Sequence, residues 1–347
     1  MKKFVSLLCA ACLLGTLFSV CFVLPVSAAE YDASSWDEIR EYVAQAGEET
    51  VITLNNSVIV GEPITIDHPC TVTIKKGGPL NTFFGNGDRA FVIDSAGVKL
   101  IFEDIMFSAF RSDCKGGVIY ISENADCTIS GGYFDICEQP EDGAAIYANG
   151  KCTIKHAKFE KCIVYDDYDG GAVYLNAAGC VIDNCTFIDC YAETNGGAVF
   201  VNKDDCMIQD CTFTGCHSAH DGGAVYLGVS VDECCISECT FEICYSHKGD
   251  GGAIALGNWC DDDKISDCTF RDCTAVEKGH WVYGDGDDTI VEGCTAATSD
   301  NCYVKCKVQN PKTGFILSEG NLWILLVVLA VGATVLVIVK KEKKAEK

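Results

Sequence analysis

Basic residues are scarce in this chain. Twenty-six lysines and arginines face 50 aspartates and glutamates across 347 residues, for a net charge of −24. Binding a phosphate backbone requires a basic face, so nucleic acid is excluded as a partner. Apolar residues at 3.6-residue spacing are missing from the body of the chain, which excludes helical repeats. Arginine is absent between Arg111 and Arg271. Cysteine, in contrast, is abundant, with 25 copies. An oxidising compartment permits that number as disulfides, but the count alone does not establish bridges.

Both ends carry targeting features. The opening "MKKFVSLLCAACLLGTLFSVCFVLPVSAAE" has two lysines, a long apolar run and small residues at Ser27, Ala28 and Ala29. That order predicts a secretory signal peptide, with an uncleaved N-terminal anchor as the alternative. Leu322 to Val339 is an uncharged run of eighteen residues, about one bilayer crossing. Five lysines against two glutamates follow it, which keeps the tail in the cytoplasm and the body outside.

The stretch 210–228, "DCTFTGCHSAHDGGAVYLG", gathers Cys211, Cys216, His217 and His220 within ten positions and invites a zinc reading. The rest of the sequence argues otherwise. "F-x-x-C" recurs at Phe134/Cys137, Phe159/Cys162, Phe187/Cys190, Phe213/Cys216, Phe241/Cys244 and Phe270/Cys273. "GGAVY" or a relative begins at Gly116, Gly143, Gly170, Gly196, Gly222, Gly251 and Gly279, at intervals of 26 to 29 residues. Such self-similarity is the mark of a solenoid. Each copy offers short alternating stretches of Val, Ile, Phe and Tyr separated by Gly, Asp and Asn, which is the strand signal. One copy accommodates three strands and three turns, a single coil of a parallel β-helix, with coils about 4.8 Å apart.

Cysteines then fall into columns along the stack. One runs through Cys127, Cys152, Cys180, Cys206, Cys234 and Cys260; another through Cys185, Cys211, Cys239, Cys268 and Cys294; the "F-x-x-C" positions give the third. In "CTF" the cysteine shares a strand face with a Phe that must point inward, so the thiols line the interior as small hydrophobes. Zinc ligands converge on one point, whereas these spread along the whole stack. Whether the columns are oxidised stays open. Near the N-terminus, "SSWDEIREYVAQA" is amphipathic through Trp36, Ile39, Tyr42 and Val43, and Ser35 with Glu38 forms a capping box. A helix here would close the open end of the stack.

Three resemblances add to this reading. The irregular opening strands are similar to those of pectate-lyase-like right-handed β-helices, in keeping with the bias of parallel crossovers. The alternation of "GGA[IVL]" with "F-x-x-C" over residues 107–284 resembles the repeat of the chlamydial polymorphic outer membrane proteins, with Cys replacing the Asn of F-x-x-N. It implies a surface β-helix with an adhesive role, although the autotransporter barrel of that family is missing here. Asn310, Pro311, Lys312, Thr313 and Gly314, followed by the apolar run and basic tail, resemble a sortase sorting signal of Gram-positive surface proteins. That likeness implies cleavage between Thr313 and Gly314 by a sortase-like transpeptidase and attachment to peptidoglycan; the alternative is a retained single-pass anchor.

The expected organisation is therefore a signal peptide at 1–29, a capping helix at 30–49, a right-handed parallel β-helix at 50–306, a linker with the sorting motif at 307–320, a transmembrane helix at 321–340 and a basic tail at 341–347. The fold class is all-β and no cofactor is required. The fifth residue of the glycine motif is aromatic at Tyr120, Tyr147, Tyr174, Phe200 and Tyr226, and alternation turns it outward. This column is the candidate ligand surface, for a glycan or a protein; the alternative is a self-stacking ladder that only stabilises coils. Asp169, Asp221 and Asp250 precede the glycines as ordinary turn formers and as weak calcium candidates. His217, His220 and His247 lie in nearby turns. No coil carries a rich catalytic insertion, so a polysaccharide lyase or hydrolase stands as the alternative to a display protein, beside a purely structural surface role.

Overall fold

The computed structural model describes residues 28–284, 289–296 and 303–304. The segments read as sorting motif, membrane span and tail lie outside these, as does the segment read as signal peptide up to residue 27. Among the described residues no helix is long and apolar enough to cross a membrane.

One coil shows how the repeat folds. Val199–Val201 forms the first strand. A corner leads to Met207–Gln209 and Thr212–Thr214, two short strands of one sheet, and then to His217–Ser218. A turn through the next Gly-Gly pair returns the chain to Val225–Leu227, which pairs in parallel and in register with Val199–Val201. Repetition builds sheets of nineteen, ten and six strands. The first contains both middle strands of each coil, the second the glycine-motif strands, and the third the short strand after "F-x-x-C". Between the paired middle strands the chain bends at a left-handed residue: Asn184, Asp210, Glu238 and Asp267 have φ of 50 to 54°. Asn and Asp tolerate that conformation, which suits them to three of these four bends, while Glu238 adopts it as well.

The Phe of "F-x-x-C", preceded by Phe107 in the same column, fills the centre. Rings of Phe107, Phe134, Phe159, Phe187, Phe213, Phe241 and Phe270 stack with centroids 4.8 to 5.2 Å apart, all fully buried. Burying each contributes roughly 1.5–3 kcal/mol, and the coil spacing sets the stacking distance. The N-terminal helix spans Trp36–Ala44, shorter than residues 30–49, and the strand Ala29–Ala33 precedes it. Glu38 N–H donates to Ser35 Oγ at 3.3 Å, while the Glu38 carboxylate accepts from Ser34 N–H at 2.7 Å. Trp36, Ile39 and Val43 are buried, the Trp36 ring lying 5.7 and 5.6 Å from Phe83 and Phe91.

Cysteines line the interior as expected, and no disulfide joins the described ones. From Cys162 on, each "F-x-x-C" thiol donates to the Phe carbonyl one coil back, as Cys190 does to Phe159 O at 3.9 Å and Cys216 to Phe187 O at 3.6 Å. In the first column the sulfur also accepts: Cys152 N–H donates to Cys180 Sγ at 3.3 Å and Cys206 N–H to Cys234 Sγ at 3.4 Å. Cys260 departs from that column. Cys235 registers with Lys264, so Asp263 stands beside Cys234 and accepts its N–H at 2.8 Å through Oδ1. The corner before Asp263 is two residues longer than the one before Cys206, and Cys260 is buried within that extension.

Candidate functional site

The aromatic column lies outside the main core, as alternation requires, and forms an apolar cluster of its own. It is not an exposed platform. Tyr147, Tyr174, Phe200 and Tyr226 are 6, 9, 6 and 9% exposed, and Tyr120 at the start is half-buried. Ring centroids are 5.8, 5.0, 4.8 and 5.2 Å apart along the column, the first three pairs within 13° of parallel. Each ring therefore covers the faces of its neighbours. Arg89 and Lys115 cap Tyr120 and Tyr147 from 4.8 and 4.9 Å. Burial pushes the hydroxyls of Tyr147, Tyr174 and Tyr226 upward in pKa. Stacking on a sugar needs a free ring face, and these have none. The alternation rule gave the direction correctly but not the shielding by stacking.

The acidic turn column forms a relay of caps between coils. Asp142 Oδ1 accepts the N–H of Asp169 at 3.1 Å, Asp169 Oδ1 that of Asn195 at 2.9 Å, Asn195 Oδ1 that of Asp221 at 3.0 Å, and Asp221 Oδ1 that of Asp250 at 2.8 Å. Thr194 Oγ1 adds a bond to Asp169 Oδ1 at 2.6 Å. Burial raises the carboxyl pKa of Asp169 and of Asp250. Calcium takes six to eight oxygens around one centre. Among the described residues no group of three or more His, Cys, Asp or Glu side chains is placed to hold a metal ion. Asp169 and Asp221 thus serve as caps, whereas Asp250 Oδ1 is buried without a hydrogen-bond partner. His217 also has another occupation, stacked between Tyr191 and Tyr245 at 4.8 and 4.7 Å, with His247 edge-on at 5.5 Å. Burial lowers its pKa.

A different place is built as a recess. In the early coils the two middle strands run on as Val98–Ser108 and Asp126–Asp135, and their pairing slips at a bulge between Gly131 and Tyr133. Gly131 has φ 74°, and a Cβ there would meet Phe102 O at 2.2 Å, so only glycine fits. The loop through Gly77 and Asn81 rises beside it, tied down by Asn81 Nδ2 donating to Asp104 O. Together they enclose an open cleft of about 410 Å³ lined by Lys76, Asn81, Asp104, Ile105, Met106, Gly132 and Tyr133. Tyr133 is half-buried; its hydroxyl donates to Glu160 Oε2 at 2.6 Å, and Lys158 Nζ lies 4.3 Å from its ring centre while also donating to Glu160 at 2.6 Å. The bond from Lys158, then that from Tyr133, lower the Glu160 pKa, whereas burial and Glu160 raise that of Tyr133.

Sequence reasoning missed this cleft. Its signal was present in "ISGGYFDIC", where Gly131–Gly132 stands in the register held by Asn184–Cys185 in "IDNCTFIDC". β-Bulges of this kind concentrate beside functional sites.

A family model described as a right handed beta helix region matches residues 116–296, just over half of the chain. The chain belongs to the right-handed β-helix family. No curated protein and no solved structure matches it. Membership fixes the hand of the solenoid, and the family occurs among enzymes and non-enzymes alike. The β-helix match begins between the two halves of the cleft, with Lys76, Asn81, Asp104 and Met106 before it and Gly132 and Tyr133 within it.

Proposed function

We propose that this β-helix is a secreted display module, held at the cell surface, that binds a glycan chain in the cleft beside the Gly131 bulge without cutting it. The cleft carries the reading. It combines an aromatic side chain, Tyr133, with Lys76, Asn81 and Asp104 as hydrogen-bonding groups, in a volume within the usual range for small-ligand sites. Binding is favoured over hydrolysis because hydrolysis needs two working carboxyls. Glu160 is engaged by Lys158 and Tyr133 and shifted away from neutrality, the wrong direction for a general acid. Asp104 is the single carboxylate lining the cleft. Asp142, Asp169 and Asp221 are likewise committed to backbone N–H groups, which supports a scaffold role for the remaining coils.

Display at the envelope rests on the N-terminal leader pattern and on Asn310–Gly314 with the apolar run behind it. Wall fractions of the producing cell should contain the chain, and Thr313→Ala should shift it to the membrane fraction. For the cleft, the full chain applied to an immobilised glycan panel should retain at least one glycan. Tyr133→Ser should weaken that retention about tenfold, with Tyr133→Phe close to wild type. Equal retention by Tyr133→Ser would overturn the cleft as the binding site.

A further inference from the structure

Two adjacent coils break the repeat at the corner between the glycine-motif strand and the first middle strand. Where "VNKDDC" (201–206) takes the short path, "LGVSVDEC" (227–234) and "LGNWCDDD" (256–263) are each two residues longer. The extension buries Val231 and Cys260 inside and leaves Val229 and Trp259 outside at the tip, 54 and 72% exposed. Trp259 is in the left-handed region, φ 60°, a conformation that a bulky residue adopts at a cost. Asn or Gly would fit that backbone better.

Beside the tip runs a strip of carboxylates in two columns: Asp204 and Asp205, then Asp232 and Glu233, then Asp261 and Asp262. All but Asp232 are exposed. The strip is held in line by its inner members, since Asp204 Oδ1 accepts from Asp232 N–H at 3.1 Å and Asp232 Oδ1 from Asp261 N–H at 2.8 Å. Lys203 is the one basic residue in these three corner segments. An indole whose faces no ring among the described residues covers, next to a strip of acceptor-only groups, matches a ligand that brings positive charge.

We propose that the Trp259 corner docks a cationic polypeptide segment, with a Lys or Arg side chain over the indole and its neighbours along the carboxylate strip. The net charge of −24 makes such a partner electrostatically favoured, and the strip gives it a direction along the solenoid axis. This site lies on a different corner from the glycan cleft and does not depend on it.

The test is a titration of the full chain with octalysine at low and moderate salt, followed by calorimetry, with a neutral oligosaccharide as the parallel probe. Trp259→Gly keeps every charge and suits the left-handed backbone, so its melting temperature should not fall. Its octalysine affinity should drop about three- to tenfold, as loss of a cation–π contact requires. Asp232→Asn with Glu233→Gln should weaken binding further and flatten its salt dependence. Equal octalysine affinity in wild type and Trp259→Gly would overturn the proposal, leaving only diffuse attraction. So would a Trp259-dependent affinity for the neutral oligosaccharide without one for octalysine. A lowered melting temperature in Trp259→Gly with unchanged affinity would make the tip structural and equally end it.

Discussion

Asp263 takes the place that Cys234 and Cys206 hold one and two coils earlier, and the exchange has an electrostatic consequence. Its Oδ1 serves the N–H of Cys234, but Oδ2 is buried without a hydrogen-bond partner, and the side chain is 1% exposed. Burial, reinforced by Asp232 and Asp204, pushes its pKa up to about 7. The unfolded chain titrates near 3.9, so the native state holds the extra proton between those values. Stability from this group is therefore complete below about pH 4 and is lost as pH rises through about 7. Asp263→Asn, which keeps the acceptor and removes the charge, should match wild type near pH 3.5 and exceed it by roughly 3–4 kcal/mol at pH 8.5 in urea denaturation. A constant offset at both pH values would contradict the assignment. Thiol reactivity is a second test at this scale. Cys114, Cys235 and Cys294 are the partly exposed members of the described set, so native alkylation should reach these three of the twenty and the others only after unfolding.

Among elements, side-chain ladders join neighbouring coils where strands are only two or three residues long. Asn176 Nδ2 donates to Asn149 Oδ1 at 2.7 Å and Asn202 Nδ2 to Asn176 Oδ1 at 2.8 Å. Asn176→Ala breaks both bonds and strands a half-buried amide on each side, for an expected loss of about 1–3 kcal/mol in chemical denaturation. Tyr174→Ser removes a ring stacked on both faces and should cost about 3 kcal/mol while leaving glycan retention unchanged. A loss of retention with stability intact would restore the aromatic column as the ligand surface. The ladders were partly legible in sequence. Period, strand type, the inward Phe and the cysteine interior all follow from repetition and alternation. Shielding of the tyrosines did not, because exposure depends on stacking between coils and not on the direction of one side chain. Cys260 was misplaced because its distance from the glycine motif, nine residues against ten for Cys206, looks like that of the column, and only backbone pairing shows that Asp263 takes the position.

At the scale of the whole molecule, the solenoid is a stack of coils that share one core, and both proposed sites lie at its departures from the repeat. The Gly131 bulge opens a cleft, and the extended corners lift Trp259 into solvent. Both departures were visible in the sequence as a Gly-Gly pair and a longer spacing, but neither bears a motif that names its chemistry. The aromatic column and most of the turn acids are engaged in contacts between coils, which supports the proposal of a scaffold with local binding sites. The direct test is to incubate the full chain with the glycan it retains, in calcium, and to follow chain length by size-exclusion chromatography. The account predicts glycan of unchanged length after prolonged incubation. Shortened chains, lost in Asp104→Asn, would contradict it and make the cleft an active site.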